Sequence, residues 1–105
     1  MLKHKCVILL LYDLPVDTAA ERKKAVRFRS RLLEEGFTIL QRSAYIKIVN
    51  NASASNSEIQ QVKKYAPDTG LIQALSIPLS IFNRMVNISG GGMDMELCSA
   101  DMIIV

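Results

Sequence analysis

Apolar and amphipathic segments alternate along the first 78 residues of the chain. Near-continuous apolar side chains at 5–12, a run rich in Phe, Ile, Tyr and Val at 37–50, and a third run at 71–77 are typical of β-strands. Between these runs, residues 18–35 and 55–66 repeat apolar side chains at intervals of three and four, which is the period of a helix. The pattern therefore predicts a strand, a helix, a strand pair, a helix and a strand.

Local signals mark both ends of the first predicted helix. Pro15 stops the preceding strand, and Asp17 or Thr18 can cap the helix; Thr18 and Glu21 have the spacing of a capping box. Gly36 stands where a helix commonly ends in a left-handed residue. The apolar stripe consists of Ala25, Phe28 and Leu32. We expect this stripe to face the sheet.

The remaining breaks in the pattern are turns. Residues 41–43 interrupt the apolar run at 37–50, and they predict a turn or a bulge between two strands. Serines and asparagines precede the second helix, predicted at roughly 55–66, and Pro67 with the Asp-Thr-Gly turn at 68–70 ends it. Pro78 confines the end of the last strand to a sheet edge or a chain exit.

The order β-α-β-β-α-β predicts an α+β, ferredoxin-like domain over residues 1–78. In this arrangement one antiparallel sheet carries both helices on a single face. Residues 79–105 then form an extension: a short helix with Ile81, Met85 and Ile88 near one face, a glycine hinge at Gly90–Gly92, and a strand at 97–105. A strand after a complete domain needs a sheet edge, and a partner subunit's sheet is the natural candidate.

Composition narrows the class of protein. The chain has 105 residues and a net charge of +3, which fits one globular domain. Its longest uninterrupted apolar run, Val7–Tyr12, is far shorter than the ~20 residues of a membrane span. Asp13 and Pro15 interrupt the run that follows the basic N-terminus, so we do not interpret it as a signal peptide. We expect a cytoplasmic protein with no membrane partner.

The cysteines and the single histidine exclude several kinds of site. Cys6 and Cys98 stand far apart among apolar residues, which favours buried, reduced thiols over a disulfide. His4 lies in a Lys-rich N-terminus and is expected to be solvated. A histidine-based triad or a zinc site of His and Cys is therefore not predicted.

Asp13 is the first candidate for chemistry because it ends a buried strand and is followed by a Leu-Pro turn. One interpretation is structural: the side chain opens an Asx-turn. The other is a ligand for Mg²⁺, which is commonly bound by one or two carboxylates with water and substrate phosphates. A homodimer could place Asp13 of each chain at a two-fold axis and so supply two carboxylates to one site.

Basic residues are concentrated in the first half of the chain. Residues 1–50 hold ten Lys/Arg and five Asp/Glu, whereas residues 51–105 hold three and five. One interpretation is a helix face that is simply solvated. The alternative is contact with the phosphates of a nucleic acid. The candidates are Arg22, Lys23, Lys24, Arg27 and Arg31 of the first helix, with Arg42 and Ser43 of the strand pair. Lys24, Arg27 and Arg31 share one helix face, whereas Tyr45 is expected to be a core residue.

Three stretches together resemble a known family. They are LLYDLPVDTAAERKKAVRFRSRLLEEGFTILQRSAYIKIV, NNASASNSEIQQVKKYAPDTGLIQALSI and IFNRM, within residues 7–90. The combination of YDLP, a helix of the form TxxERKxxxxFRxxLLEEGF and a QxSxY strand pair resembles the small CRISPR-associated adaptation proteins. These are the second of the two universal CRISPR-associated families, here in the type II form.

The resemblance implies a homodimer that lies between two dimers of the CRISPR integrase and holds double-stranded DNA during spacer acquisition. It also implies a Mg²⁺-dependent endonuclease acting on RNA or double-stranded DNA, with Asp13 as catalytic residue and metal ligand. Two positions depart from the family: an arginine is common near Ile39, and an aromatic residue is common where Arg42 stands.

A second hypothesis is a ferredoxin-like regulatory module that binds a small ligand and catalyses nothing. Glycines clustered at a strand–helix turn would favour it, but the only such cluster is the late hinge. The two hypotheses differ in the salt dependence of DNA binding, which is steep for a phosphate-contacting protein.

Overall fold

The computed structural model describes residues 4–89 as a four-stranded sheet with helices on it. Its elements are β1 (Cys6–Asp13), α1 (Ala19–Glu34), β2 (Thr38–Gln41), β3 (Ala44–Val49), α2 (Ala52–Tyr65), β4 (Leu71–Pro78) and α3 (Leu79–Phe82). Every strand pair is antiparallel, and the strand order is β2-β3-β1-β4. The predicted ferredoxin-like α+β fold is confirmed.

The main core lies between the sheet and the two long helices. Alternate residues of β1 point to this face, among them Ile8 and Leu10, and both are fully buried. α1 contributes Phe28 and Leu32, and α2 contributes Val62. The helical stripe predicted from the sequence therefore does face the sheet.

A smaller apolar cluster lies on the opposite face of the sheet. Val7 of β1 and Ile46 of β3 are buried there beneath Phe82 of α3. The backbone N–H of Leu79 donates to the carbonyl of Lys5 at 2.9 Å, which fixes α3 beside the start of β1. α3 therefore covers the end of this face that is remote from Asp13.

Side-chain caps determine where the two long helices begin. At α1 the predicted capping box is present: the Glu21 N–H donates to Thr18 Oγ1 at 3.1 Å, and the Thr18 N–H donates to Glu21 Oε1 at 2.9 Å. α2 begins at Ala52, earlier than predicted, because Asn51 is its cap. The Asn51 side-chain oxygen accepts from the Ala54 N–H at 2.8 Å.

The short helix predicted after β4 is present but ends at Phe82. The N–H groups of Arg84 and Met85 donate to carbonyls three residues earlier, which tightens and ends the helix. Met85 and Ile88 lie beyond the end of this helix, so the predicted helical face of Ile81, Met85 and Ile88 does not form, and all three side chains are exposed. The predicted hinge at 90–92 and strand at 97–105 lie outside the described residues.

Two smaller sequence predictions can be checked near the N-terminus. Cys6 is buried and carries a free thiol, and His4 is exposed. Cys98 lies outside the described residues. Within residues 4–89, none of the helices has the length and apolar content needed to cross a membrane.

Candidate functional site

Asp13 is the last residue of β1, where it pairs with Leu71 of β4. Side chains alternate along the strand, so Asp13 belongs to the same sheet face as Leu9 and Leu11, opposite the long helices. Asp13 is exposed. Its backbone is fixed by the β1–β4 ladder, and its carboxylate stands at the rim of the uncovered sheet face.

An open basin of about 390 Å³ includes Asp13. Its polar lining consists of Asp13, Gln41, Arg42, Ser43 and Gln73. The structure therefore brings together three residues that the sequence singled out separately: the carboxylate and two residues of the strand pair.

The turn between β2 and β3 carries Arg42 and Ser43 to the basin. The predicted turn and bulge are both present: two residues connect the strands, and the register shifts between Ile39 and Gln41. Ser43 has a φ of 62°, in the left-handed region. Its carbonyl accepts a hydrogen bond of 3.1 Å from the Tyr12 N–H, which ties this turn to the end of β1.

Tyr12, the neighbour of Asp13, is anchored on the helix side of the sheet. Its ring stacks on Tyr45 with centroids 5.7 Å apart and meets Phe28 edge-on at 5.3 Å. Arg29 Nε donates to the Tyr45 hydroxyl at 3.0 Å, and Tyr45 is 1% exposed, which confirms it as a core residue. Burial, assisted by the hydrogen bond with Tyr45, raises the pKa of Tyr12 to about 12. The strand end is therefore held by the aromatic contacts of Tyr12 on the helix side and by the backbone hydrogen bond from Tyr12 to Ser43.

The basin offers oxygen ligands of the kind that Mg²⁺ prefers. One carboxylate (Asp13), two side-chain amides (Gln41 and Gln73) and one hydroxyl (Ser43) line it. No group of three or more His, Cys, Asp or Glu residues within 4–89 could hold a metal by itself. The donor set thus fits a Mg²⁺ ion that keeps several waters and shares substrate phosphates, and one chain supplies one carboxylate to it.

The basic side chains of α1 do not belong to this basin. Lys24, Arg27 and Arg31 line a second cavity of about 360 Å³ beside α1 and the end of α2, and none of the described residues lines both cavities. Arg31 Nε is ion-paired with Glu35 at 3.0 Å. The predicted nucleic-acid set therefore divides into two groups on opposite sides of the sheet.

The two basic residues at the start of α1 differ from each other. Arg22 Nη1 donates to the carbonyls of Val16 and Asp17 at 3.0 and 3.2 Å, so this side chain braces the loop between β1 and α1. Lys23 is exposed. The Arg22 side chain therefore has a structural role in this loop, whereas the Lys23 ammonium is an exposed positive charge.

Sequence reasoning missed Gln41 and Gln73 as members of the basin. Gln41 pairs with Ala44, and Gln73 pairs with Leu11, which puts both on the face of Asp13. Strand alternation combined with the antiparallel register would have identified Gln73. Gln41 follows a register shift, so alternation alone could not have placed it.

The sheet face beside the basin is apolar, and no other element of residues 4–89 covers it. Leu11, Leu71 and Leu75 are 44%, 57% and 59% exposed, and register places all three on the face of Asp13. Contiguous exposed apolar side chains next to a polar site commonly mark an interaction surface.

A family model and several curated relatives all relate this chain to the same protein family. The profile of the family described as CRISPR associated protein Cas2 matches residues 6–85. A CRISPR-associated endoribonuclease Cas2 of Streptococcus mutans serotype c (strain NN2025) is 37% identical over 98 residues, covering 93% of this chain and 91% of the relative. The protein of that name from Ligilactobacillus salivarius is 31% identical over 78 residues, covering 74% of this chain and 77% of its own. The protein of that name from Campylobacter jejuni is 37% identical over 84 residues, covering 80% of this chain and 59% of the relative. The chain belongs to the CRISPR-associated Cas2 family.

Proposed function

We propose that this protein is a metal-dependent endonuclease that acts as a homodimer in CRISPR adaptation. The observation that carries the proposal is the presence of Asp13, Arg42 and Ser43 in one basin. A metal ligand, a fixed positive charge and a hydroxyl donor are groups that can stabilise the negative charge that develops during phosphodiester hydrolysis. The relatives are named as endoribonucleases, and this supports a nuclease activity for the present protein.

Asp13, Arg42 and Ser43 each have a distinct part in the proposed chemistry. A divalent cation bound at Asp13 would polarise the phosphate and lower the pKa of an attacking water. The Arg42 guanidinium neutralises a phosphate oxygen through charge-assisted hydrogen bonds, and the Ser43 hydroxyl donates to another. Because the phosphodiester is common to RNA and double-stranded DNA, both are candidate substrates.

The uncovered leucines support the homodimer. Leu71 pairs with Asp13, and Leu11 and Leu75 lie further back on the same face, so a second copy packed there would bury all three. A two-fold contact on this face brings the second Asp13 toward the first and raises the number of carboxylates to two. The dimer would then complete the metal site that one chain leaves at a single carboxylate.

The adaptation role extends this proposal to partners. With ten Lys/Arg against five Asp/Glu, residues 1–50 supply the positive charge for double-stranded DNA. In that role the dimer lies in the cytoplasm between two dimers of the CRISPR integrase. Co-purification with the integrase, and its loss when the dimer is disrupted, would test this part separately from cutting.

The experiment is a nuclease assay on RNA and double-stranded DNA with Mg²⁺ or with EDTA. We expect cutting that EDTA abolishes and that Asp13→Ala lowers by about a hundredfold or more. Asp17→Ala is the matched control, since it removes an exposed carboxylate from the loop after β1. Equal cutting by Asp13→Ala and the wild type would overturn the metal assignment.

DNA binding separates the remaining outcomes. If neither protein cuts but both bind DNA with affinity that falls steeply between about 50 and 200 mM salt, the protein is a scaffold without nuclease activity. Weak binding that is unchanged over this range would instead support a regulatory or small-ligand module.

A further inference from the structure

The cavity beside α1 and α2 has an apolar interior and a basic rim. Phe28 is almost fully buried and forms its floor, and the half-buried Tyr65 and Pro67 form a wall. Lys24 and Arg27 are exposed at its edge. Its volume of about 360 Å³ lies at the small end of ligand pockets, which are commonly about 300–1,000 Å³.

The positive charge of this cavity is concentrated at one end. Within residues 4–89, Lys24 and Arg27 form no ion pair, whereas Arg31 is paired with Glu35 and stacks over the Tyr65 ring at 4.6 Å. Among the described residues, Glu34 is the one carboxylate in the lining. It is ten residues from Lys24, about 15 Å along the helix axis. An anion is therefore favoured at the Lys24–Arg27 end.

The spacing of these two cations suits a single phosphate. Residues three apart on a helix are separated by about 4.5 Å along the axis and lie on one face. Both side chains are long and exposed, so both can reach one phosphate group. An inorganic phosphate would occupy this end only and would leave the aromatic interior empty.

We infer that this cavity binds a nucleoside monophosphate, either as a free nucleotide or as an unpaired nucleotide of a single strand. The phosphate lies between Lys24 and Arg27, and the base packs against Pro67 and the Arg31 guanidinium, which covers the Tyr65 ring. Proteins bind single-stranded nucleic acid mainly through two kinds of interaction: stacking on the bases and contact with the phosphates. The bases of a duplex are paired and stacked inside, so they cannot enter.

This site does not depend on the proposed nuclease. It lies on the helix side of the sheet, whereas Asp13 belongs to the opposite face. Asp13→Ala is therefore expected to retain the nucleotide affinity of the wild type even where it abolishes cutting. The two proposals can fail independently.

The first test is titration of the full chain with adenosine monophosphate, adenosine and inorganic phosphate, followed by calorimetry and by amide NMR shifts. We expect adenosine monophosphate to bind at least about tenfold more tightly than either fragment, because only it uses both parts of the cavity. The shifted amides should lie in α1 from Lys24 to Glu34 and near Tyr65. Equal affinity for phosphate and the nucleotide, or shifts centred on Asp13 and Arg42, would overturn the inference.

Variants test the same site independently. Lys24→Ala and Arg27→Ala should each weaken nucleotide binding by about tenfold, since each removes a charge-assisted contact. Lys63→Ala is the matched control: it removes one exposed positive charge from α2 without touching the cavity. Equal weakening by the control would show that only general electrostatic attraction is present.

A single-stranded tetranucleotide and the matching duplex distinguish the two sources of the ligand. If the tetranucleotide binds at least as tightly as the mononucleotide, and Lys24→Ala weakens both, the natural ligand is a strand. If only the mononucleotide binds, it is a free nucleotide. Duplex binding that is as tight as tetranucleotide binding and equally sensitive to Lys24→Ala would contradict the inferred entry of a base.

Discussion

Gly70 lies directly against the backbone of Asp13. A Cβ at residue 70 would be 2.5 Å from the Asp13 carbonyl oxygen and 2.9 Å from Cδ2 of Leu14. Gly70 also has a φ of +78°, a conformation that side chains with a Cβ rarely adopt. The turn before β4 therefore approaches the end of β1 as closely as it does because residue 70 has no side chain.

We expect Gly70→Ala to destabilise the protein by about 2–4 kcal/mol, combining the left-handed backbone with a clash against backbone atoms. Gly36→Ala is a matched control. Its φ is also positive, +97°, but its added Cβ would meet no backbone atom and would come no closer than 3.3 Å to the Lys47 side chain. Urea unfolding of both variants measures the difference, and an equal loss in the two would contradict the proposed contact with Asp13. Any folded Gly70→Ala protein should also cut more slowly.

The sequence was sufficient to predict features that depend on local spacing. The capping box of Thr18 and Glu21 is a four-residue pattern, and the structure confirms it. The order of strands and helices follows from hydrophobic period, and it is confirmed as well. Asp13 at the rim follows from its place after an apolar run. These features require no knowledge of which strands are neighbours.

Features that depend on register could not be predicted in this way. Arg42 lies near Asp13 because β3 pairs with β1, whereas the basic face of α1 lies on the other side of the sheet. The sequence presents both as basic residues that follow Asp13. The role of Gly70 likewise arises from a contact between residues 57 positions apart in the chain.

Two tyrosines provide a test of what hydroxyl groups contribute. The Tyr45 hydroxyl accepts from Arg29 at 3.0 Å, whereas the buried Tyr65 hydroxyl has no hydrogen-bond partner within residues 4–89. We expect Tyr45→Phe to lower the free energy of unfolding by about 1 kcal/mol, and Tyr65→Phe to leave it unchanged or raise it by up to about 1 kcal/mol. Urea unfolding measures both. A larger loss for Tyr65→Phe than for Tyr45→Phe would show that the Tyr65 hydroxyl has a partner.

The free energy of unfolding should fall at alkaline pH because of two half-buried tyrosines, Tyr12 and Tyr65. Burial raises the pKa values of Tyr12 and Tyr65 from 10.0 to about 12. A group with a raised pKa in the folded state stabilises it fully below the unfolded pKa, and this contribution is lost as pH rises through the folded value. The free energy of unfolding should therefore decline from pH 10.0 to about 12. Tyr65→Phe removes one of the two groups, so a decline as steep as that of the wild type would contradict the assignment to Tyr65.

The apolar sheet face gives a test of the proposed homodimer. Leu75 is 59% exposed on the face of Asp13, and glutamate there would put a charge into the proposed two-fold contact. We expect Leu75→Glu to be monomeric by light scattering at concentrations at which the wild type is dimeric, because a buried, unpaired charge is costly. Val26→Glu is the matched control, since Val26 is 63% exposed on α1, away from this face. A dimer that survives Leu75→Glu as well as Val26→Glu would place the contact elsewhere and leave Asp13 as the single carboxylate of its basin.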